Sequence, residues 1–251
     1  MIWATVAHGM EPVVEELDGG HVDWTRLQLV ASATGEPASG AVATPEVMEG
    51  DARSKLGPRM LELARRVRVD ASRTTADVLD ARDAVADRVA DNLALWEVYE
   101  VRYFTSGRVE MEGALPLQAW LRPALADWAA GEERPTTGDA AVTGLVVDAR
   151  GLAVKPALAP RIEDAAGEAL YTIQTLTELA ASQRGPVVYV RDPADVHAAR
   201  RAGEAPLVVR AAGVADGTDL VLGEEAARKV RDAAAQAPFL LHGNVVVVVD
   251  R

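Results

Sequence analysis

At 251 residues, with 49% apolar and 25% charged residues, the chain is long enough for two ordinary domains that fold without metal or disulfide staples. A formal charge of −12 argues against binding nucleic acid or anionic lipid headgroups, because both rest on clustered Lys and Arg. Having no cysteine, the chain has no disulfide, no thiolate nucleophile, no zinc–cysteine site and no acylated lipobox cysteine.

Met1–Ala7 reads as the last apolar piece of a secretory signal, which places a mature start near His8–Glu11; the competing reading is an ordinary chain terminus. Residues 1–20 are set aside as this N-terminal segment. No later stretch approaches the roughly 18 consecutive apolar residues of a membrane span, so no transmembrane helix is expected. His21–Thr34 is rich in Val, Leu, Thr and Trp, with Leu27, Leu29 and Ala31 alternating against Arg26, Gln28 and Val30, and predicts a strand. After the loop GEPASGAVA (35–43), Leu56, Met60, Leu63 and Val67 recur at helical spacing. They predict a helix over Thr44–Val67, with Thr44-Pro45 as its cap and Gly57-Pro58 as a kink or the true start.

A second helical stretch opens at Thr74/Thr75 and carries Val78, Val85, Val89 and Leu93. A β-hairpin follows, with arms over 95–104 and 108–117 and a turn at Thr105-Ser106-Gly107. Val109, Met111, Leu115 and Leu117 share one face of its second arm, and Arg108, Glu110 and Glu112 the other. Glycine, proline and charge then interrupt both periodicities over 126–141, which is read as a linker. Beyond it, strands are predicted at Thr143–Ala149, Ala157–Glu163, Glu168–Tyr171, Val187–Arg191, Leu207–Val214 and Asn244–Asp250. Helices are predicted at Thr175–Gln183, Ala194–Ala202 and Glu224–Ala235. The run NVVVVVD predicts a final strand covered on both faces.

The expected fold is therefore α+β in two domains. Residues 21–125 form a β-α-(α)-β-β unit, a helix on an antiparallel sheet, and residues 142–251 a mixed α/β unit.

No catalytic signature is present. His8, His21, His197 and His242 lack metal-ligand spacing, and there is neither a nucleophile elbow nor a phosphate loop. No metal, no cofactor and no enzymatic activity are expected. The one segment with converging charge is Asp148–Arg161. As a site, it would be an anion-binding corner built from Asp148, Arg150, Lys155 and Arg161; as structure, an Asp148–Arg150 pair bracing a tight connection. The absence of a nucleophile or partnered base favours the brace.

The block VDWTRLQLVASATGEP (22–37), the helix ARSKLGPRMLELARRVRV (52–69) and the hairpin VYEVRYFTSGRVEMEGALPL (98–117) resemble a group of bacterial envelope proteins. The group comprises the FlgP-type outer-membrane lipoproteins, the Lpp-type small lipoproteins and the N-terminal domain of FlgT-type flagellar assembly proteins. Asp23-Trp24, Ala33-Thr34-Gly35, Arg59–Leu63, Arg102-Tyr103, Gly107 and Val109–Met111 carry the likeness. TGLVVDARGL, PLVVRAAGV and the terminal VVVVVD resemble a C-terminal module of uncharacterised relatives of that group. Two departures stand out: Gly57-Pro58 interrupts the helix, and any cysteine-linked lipid anchor is missing or lies upstream of Met1.

The resemblance implies an exported, non-enzymatic protein, periplasmic or associated with the outer membrane. Its role would be structural or in assembly, with protein partners or copies of itself; a flagellar role belongs to only some members. Trp24, Trp96, Tyr99, Tyr103 and Phe104 are the candidate interface aromatics. The alternative is an anion- or small-ligand-binding protein, or a hydrolase, with its site at the Asp148–Arg161 loop.

Overall fold

The computed structural model describes residues 11–36, 44–134 and 142–250. The expected signal remnant, most of the loop over 35–43 and residues 135–141 of the expected linker lie outside these.

The first sheet is antiparallel, in the order β1-β2-β3-β5-β4. Its strands are β1 (Val14–Leu17), β2 (Gly20–Asp23), β3 (Gln28–Gly35), β4 (Glu97–Tyr103) and β5 (Val109–Pro116). The single strand expected over His21–Thr34 is instead two strands of a tight hairpin. Asp23 Oδ1 accepts from the backbone N–H groups of Thr25 (3.0 Å) and Arg26 (2.9 Å), folding the chain back on itself. Leu27 completes the reversal at φ 55°. β1 lies within the segment set aside as a terminus, with Val13 buried at its start.

Helix α1 (Pro45–Ala64) covers one face of this sheet and runs unbroken through Pro58; Thr44 Oγ1 caps its start. Met48, Ala52, Leu56, Met60 and Leu63 are its buried stripe, packed on β3 and β5. The approach is closest at Gly35, where a Cβ would sit 1.9 Å from the Met48 carbonyl oxygen. Only glycine admits a helix backbone so near the sheet, which gives the Ala33-Thr34-Gly35 stretch its physical reason.

The second helical stretch divides into α2 (Thr75–Leu79), α3 (Ala84–Asp91) and a 3-10 turn over Asn92–Leu95. The expected hairpin forms as β4 and β5, and Val109, Met111 and Leu115 are buried on the α1 side. Leu117 is not on that strand: it opens α4 (Leu117–Trp128), a helix that the sequence reading passed over and that reaches into the expected linker.

The second sheet has seven strands in the order β8-β7-β11-β10-β6-β12-β9. They are β6 (Gly144–Asp148), β7 (Ile162–Asp164), β8 (Ala169–Tyr171), β9 (Val188–Val190), β10 (Pro206–Ala215), β11 (Asp219–Leu222) and β12 (Val245–Val248). β10, β6, β12 and β9 form a parallel block. The last strand in chain order, β12, sits between β6 and β9 and is buried along its length, as expected of its unbroken apolar run. Helices α5 (Glu178–Arg184), α6 (Val196–Ala202) and α7 (Glu224–Gln236) complete the unit. β11 was not expected. The strand expected over Ala157–Glu163 narrows to β7, because residues 158 and 159 bond to the first domain instead: Leu158 N–H donates to the Arg68 carbonyl (3.0 Å) and Ala159 N–H to that of Val69 (2.7 Å).

The chain is thus α+β with two sheets, and the apolar interiors of the two domains are continuous. Trp24 meets Tyr189 edge to face at 5.9 Å, α4 packs on α5, and Thr25 Oγ1 donates to the Tyr189 carbonyl (2.7 Å). None of the described helices is long and apolar enough to cross a membrane.

Candidate functional site

The Asp148–Arg161 loop leaves the carboxyl end of β6, the side of an open parallel sheet on which ligands usually bind. Arg150 grips Asp148 in bidentate fashion, Nε to Oδ1 at 2.8 Å and Nη2 to Oδ2 at 2.7 Å, and its backbone N–H adds a third bond. The turn that follows needs glycine: Gly151 stands at φ 86°, and its N–H donates to the Asp250 carboxylate (2.9 Å to Oδ2). Lys155 N–H donates to the Gly217 carbonyl at 2.8 Å. Arg161 N–H donates to Asp219 Oδ1 at 3.0 Å.

Asp148 and Arg150 are therefore brought together, whereas Lys155 and Arg161 part company. Lys155 lines a cleft of about 420 Å³ at the strand ends, beside Glu15, Arg68, Arg191 and Asp250. Arg161 lines a separate cleft of about 890 Å³ beside Asp70, Arg73, Asp127 and Trp128. In the first cleft Arg68 is taken up by Glu15 (3.2 Å) and the Pro156 carbonyl (2.7 Å). Arg191 there binds the carbonyls of Pro12 and Asp250. These cations hold loops together. Among the described residues no group of three or more His, Asp or Glu is placed to hold a metal ion.

The guanidinium of Arg150 holds the Asp148 carboxyl well below its usual 3.8, at about 2, against the opposing effect of partial burial. A carboxyl depressed on folding contributes stability above pH 3.8 that is lost as pH falls toward 2. In Arg150→Met, the Asp148 resonance in an NMR titration should move back up toward 3.8, and this part of the acid-limb stability should vanish. An unchanged midpoint would show that Arg150 is not the cause.

The candidate aromatics divide. Trp24 is fully buried and belongs to the core; Trp96 is half-buried beside Leu56 and Gly113. Tyr99 (67% exposed), Tyr103 (59%) and Phe104 lie open along or just beyond β4, the edge of the first sheet. Glu110 and Glu112, expected on an open charged face, lie half-buried under Arg102, which pairs with Glu100, Glu110 and Glu112. Sequence reasoning also missed Arg184, Arg200 and Arg201, which the fold gathers around one cavity with Arg26 and His197. The Arg200-Arg201 dipeptide in so acidic a chain was the available signal.

Residues 144–251, the second sheet and its helices, match the family described as Treponema pallidum Tp0624, second domain. That part of the chain is accordingly similar to a bacterial protein domain. No curated protein matches the chain.

Proposed function

We propose that this chain is a non-enzymatic, exported protein of the bacterial envelope whose role is structural or in assembly, and that it pairs with itself along the free edge of β4. The envelope location rests on the likeness of residues 22–117 to the FlgP-type and FlgT-type proteins, motility being the role of some of them. In the Treponema protein the matching domain is the second; in this chain the matching part follows an α+β unit.

The observation that carries self-pairing is the self-complementarity of β4. Phe104 N–H donates to the Arg108 carbonyl (2.9 Å), so by antiparallel alternation residues 102 and 100 also turn their backbone groups toward β5. Those of Val101 and Tyr103 turn outward. Two copies of β4 running antiparallel about a two-fold axis at Val101 oppose Glu100 to Arg102 twice; the bulge takes Tyr99 out of the alternation, and the Tyr103 hydroxyl donates to Glu49 of α1. Opposite charges are a favourable cross-strand combination. Moving the axis by one residue opposes Glu100 to itself or Arg102 to itself. The charges and the bulge between Val98 and Glu100 therefore discourage other edges while permitting this one register.

Light scattering over a concentration series should give a dimer. Val101→Pro removes only an outward N–H, so the β4–β5 ladder survives, and the mass should fall to that of a monomer. The chain lacks cysteine, so Val101→Cys gives a clean second readout. Its two copies, about 5.5 Å apart in Cα positions, should oxidise to a covalent dimer. Glu97→Cys, with copies roughly 27 Å apart at about 3.4 Å per residue, should not. An oligomer that survives Val101→Pro, together with a Val101→Cys variant that forms no crosslink, would overturn this edge alone, whereas a wild-type monomer at every concentration would overturn self-assembly.

A further inference from the structure

We infer that the cavity between the β2–β3 turn and the ends of α5 and α6 is a binding site for a phosphate group, free or esterified. The cavity measures about 700 Å³, and Arg26, Arg184, Arg200, Arg201 and His197 line it with no carboxylate among them. Across the whole chain Asp and Glu outnumber Lys and Arg by 38 to 26, so this lining reverses the charge of the rest of the molecule.

Two acids that touch lining residues are already engaged. Asp23 holds Arg26 at 2.6 Å, and Asp195 accepts from the His197 backbone at 2.7 Å and lies 2.9 Å from His197 Nδ1. Arg184, Arg200 and Arg201 have no ion-pair partner among the described residues.

Arg184 and Arg201 are also crossed. Arg184 Nη2 donates to the Arg201 carbonyl at 3.3 Å, and the Arg201 guanidinium donates to the carbonyls of Arg184 and Gly185. This holds two like charges together in a buried setting. Arg201 is pushed down to about 10, first by burial and then by the charge of Arg184. Part of the arrangement is structural: α5 ends at Arg184, and a helix C-terminus favours cations. Capping accounts for Arg201. It accounts neither for Arg200 nor for the missing carboxylate.

Two further donors of lining residues, Gln118 Nε2 and Arg201 Nε, are buried beneath the surface without a partner. The permanently charged groups of the lining are all cationic, which calls for an anionic ligand. Guanidinium groups arriving from α5 and α6 suit a tetrahedral oxyanion, which offers an oxygen to each, better than a planar carboxylate.

The test uses the full chain at fixed ionic strength, titrated with inorganic phosphate, glycerol phosphate and acetate against a chloride reference. Melting temperature and the His197 imidazole NMR signals are followed. Saturable stabilisation by phosphate or glycerol phosphate, and little by acetate, is expected. Preference for inorganic phosphate would assign the free ion, and preference for glycerol phosphate an ester. Arg200 is exposed, so Arg200→Glu should keep the fold while weakening binding roughly ten- to a hundredfold, the worth of a charged hydrogen bond. Phosphate also stabilises proteins through exclusion from their surfaces, and Arg200→Glu retains that contribution. A stabilisation that is unsaturable, or equal in wild type and Arg200→Glu, or without movement of the His197 signals, would overturn the proposal.

Discussion

Trp24→Ala should remove about 3–5 kcal/mol of folding stability, the usual cost of deleting a large buried aromatic. Trp24 has no exposed surface, and its loss affects more than one layer. The indole edge that meets Tyr189 goes, as does the Nε1–H bond to Glu15 Oε2 at 3.0 Å. Glu15 also holds Arg68, so that ion pair loosens with it. Trp24 stands on the turn between β2 and β3, and its carbonyl accepts from Tyr189 N–H on the outer edge of the second sheet. The variant should therefore weaken both domains together, as one shifted transition in chemical denaturation followed by far-UV circular dichroism. Trp24→Phe should cost less, since much of the ring contact remains. A loss below about 1 kcal/mol for Trp24→Ala would mean that this contact does not join the two cores.

Arg201→Met is expected to cost roughly 2–4 kcal/mol, because the part-buried carbonyl of Arg184 and the buried carbonyl of Gly185 both lose a donor. The figure stays below the full sum of two orphaned carbonyls, since the variant also ends the cost of burying an unpaired charge. Arg201→Lys should recover only part of the loss, as a single ammonium does not reproduce the fork that spans both carbonyls. Denaturant midpoints of the two variants measure this. A Met variant as stable as the wild type would show that these carbonyl contacts do not hold the end of α5.

What was legible and what was not follow a physical line. α1 and α7 were readable because their apolar stripes recur at helical spacing, and Thr44-Pro45 marks the start of α1. α4 was missed because Pro116-Leu117 continues the apolar alternation of β5 by two residues and Pro123 lies inside the helix. Its helical character is settled by Trp120, Leu121 and Leu125, all buried, and by packing on α5. The β2–β3 hairpin was read as one strand because apolar residues continue on both sides of Asp23–Leu27, although their phase changes between Trp24 and Leu27. The reversal depends on a side-chain-to-backbone bond and on a leucine at positive φ, a conformation that leucine rarely adopts.

At the Asp148–Arg161 loop, the Asp148–Arg150 pair was readable because residues two apart on a strand point the same way. The separation of Lys155 from Arg161 was not: the strap between them is pulled onto the first domain by Arg68 and Val69, far away in sequence.

The sequence by itself determined the types of most elements, the both-face burial of β12, the α+β class and the acidic, cysteine-free chemistry of the chain. These depend on local periodicity and composition. Tertiary structure alone decided that β12 enters between β6 and β9, that Tyr99 and Tyr103 stay at a free edge while Trp24 is enclosed, and that Arg26, Arg184, Arg200 and Arg201 share one cavity. Each of these is set by pairing between segments distant in the chain, where the free energy belongs to the contact and neither segment carries it alone.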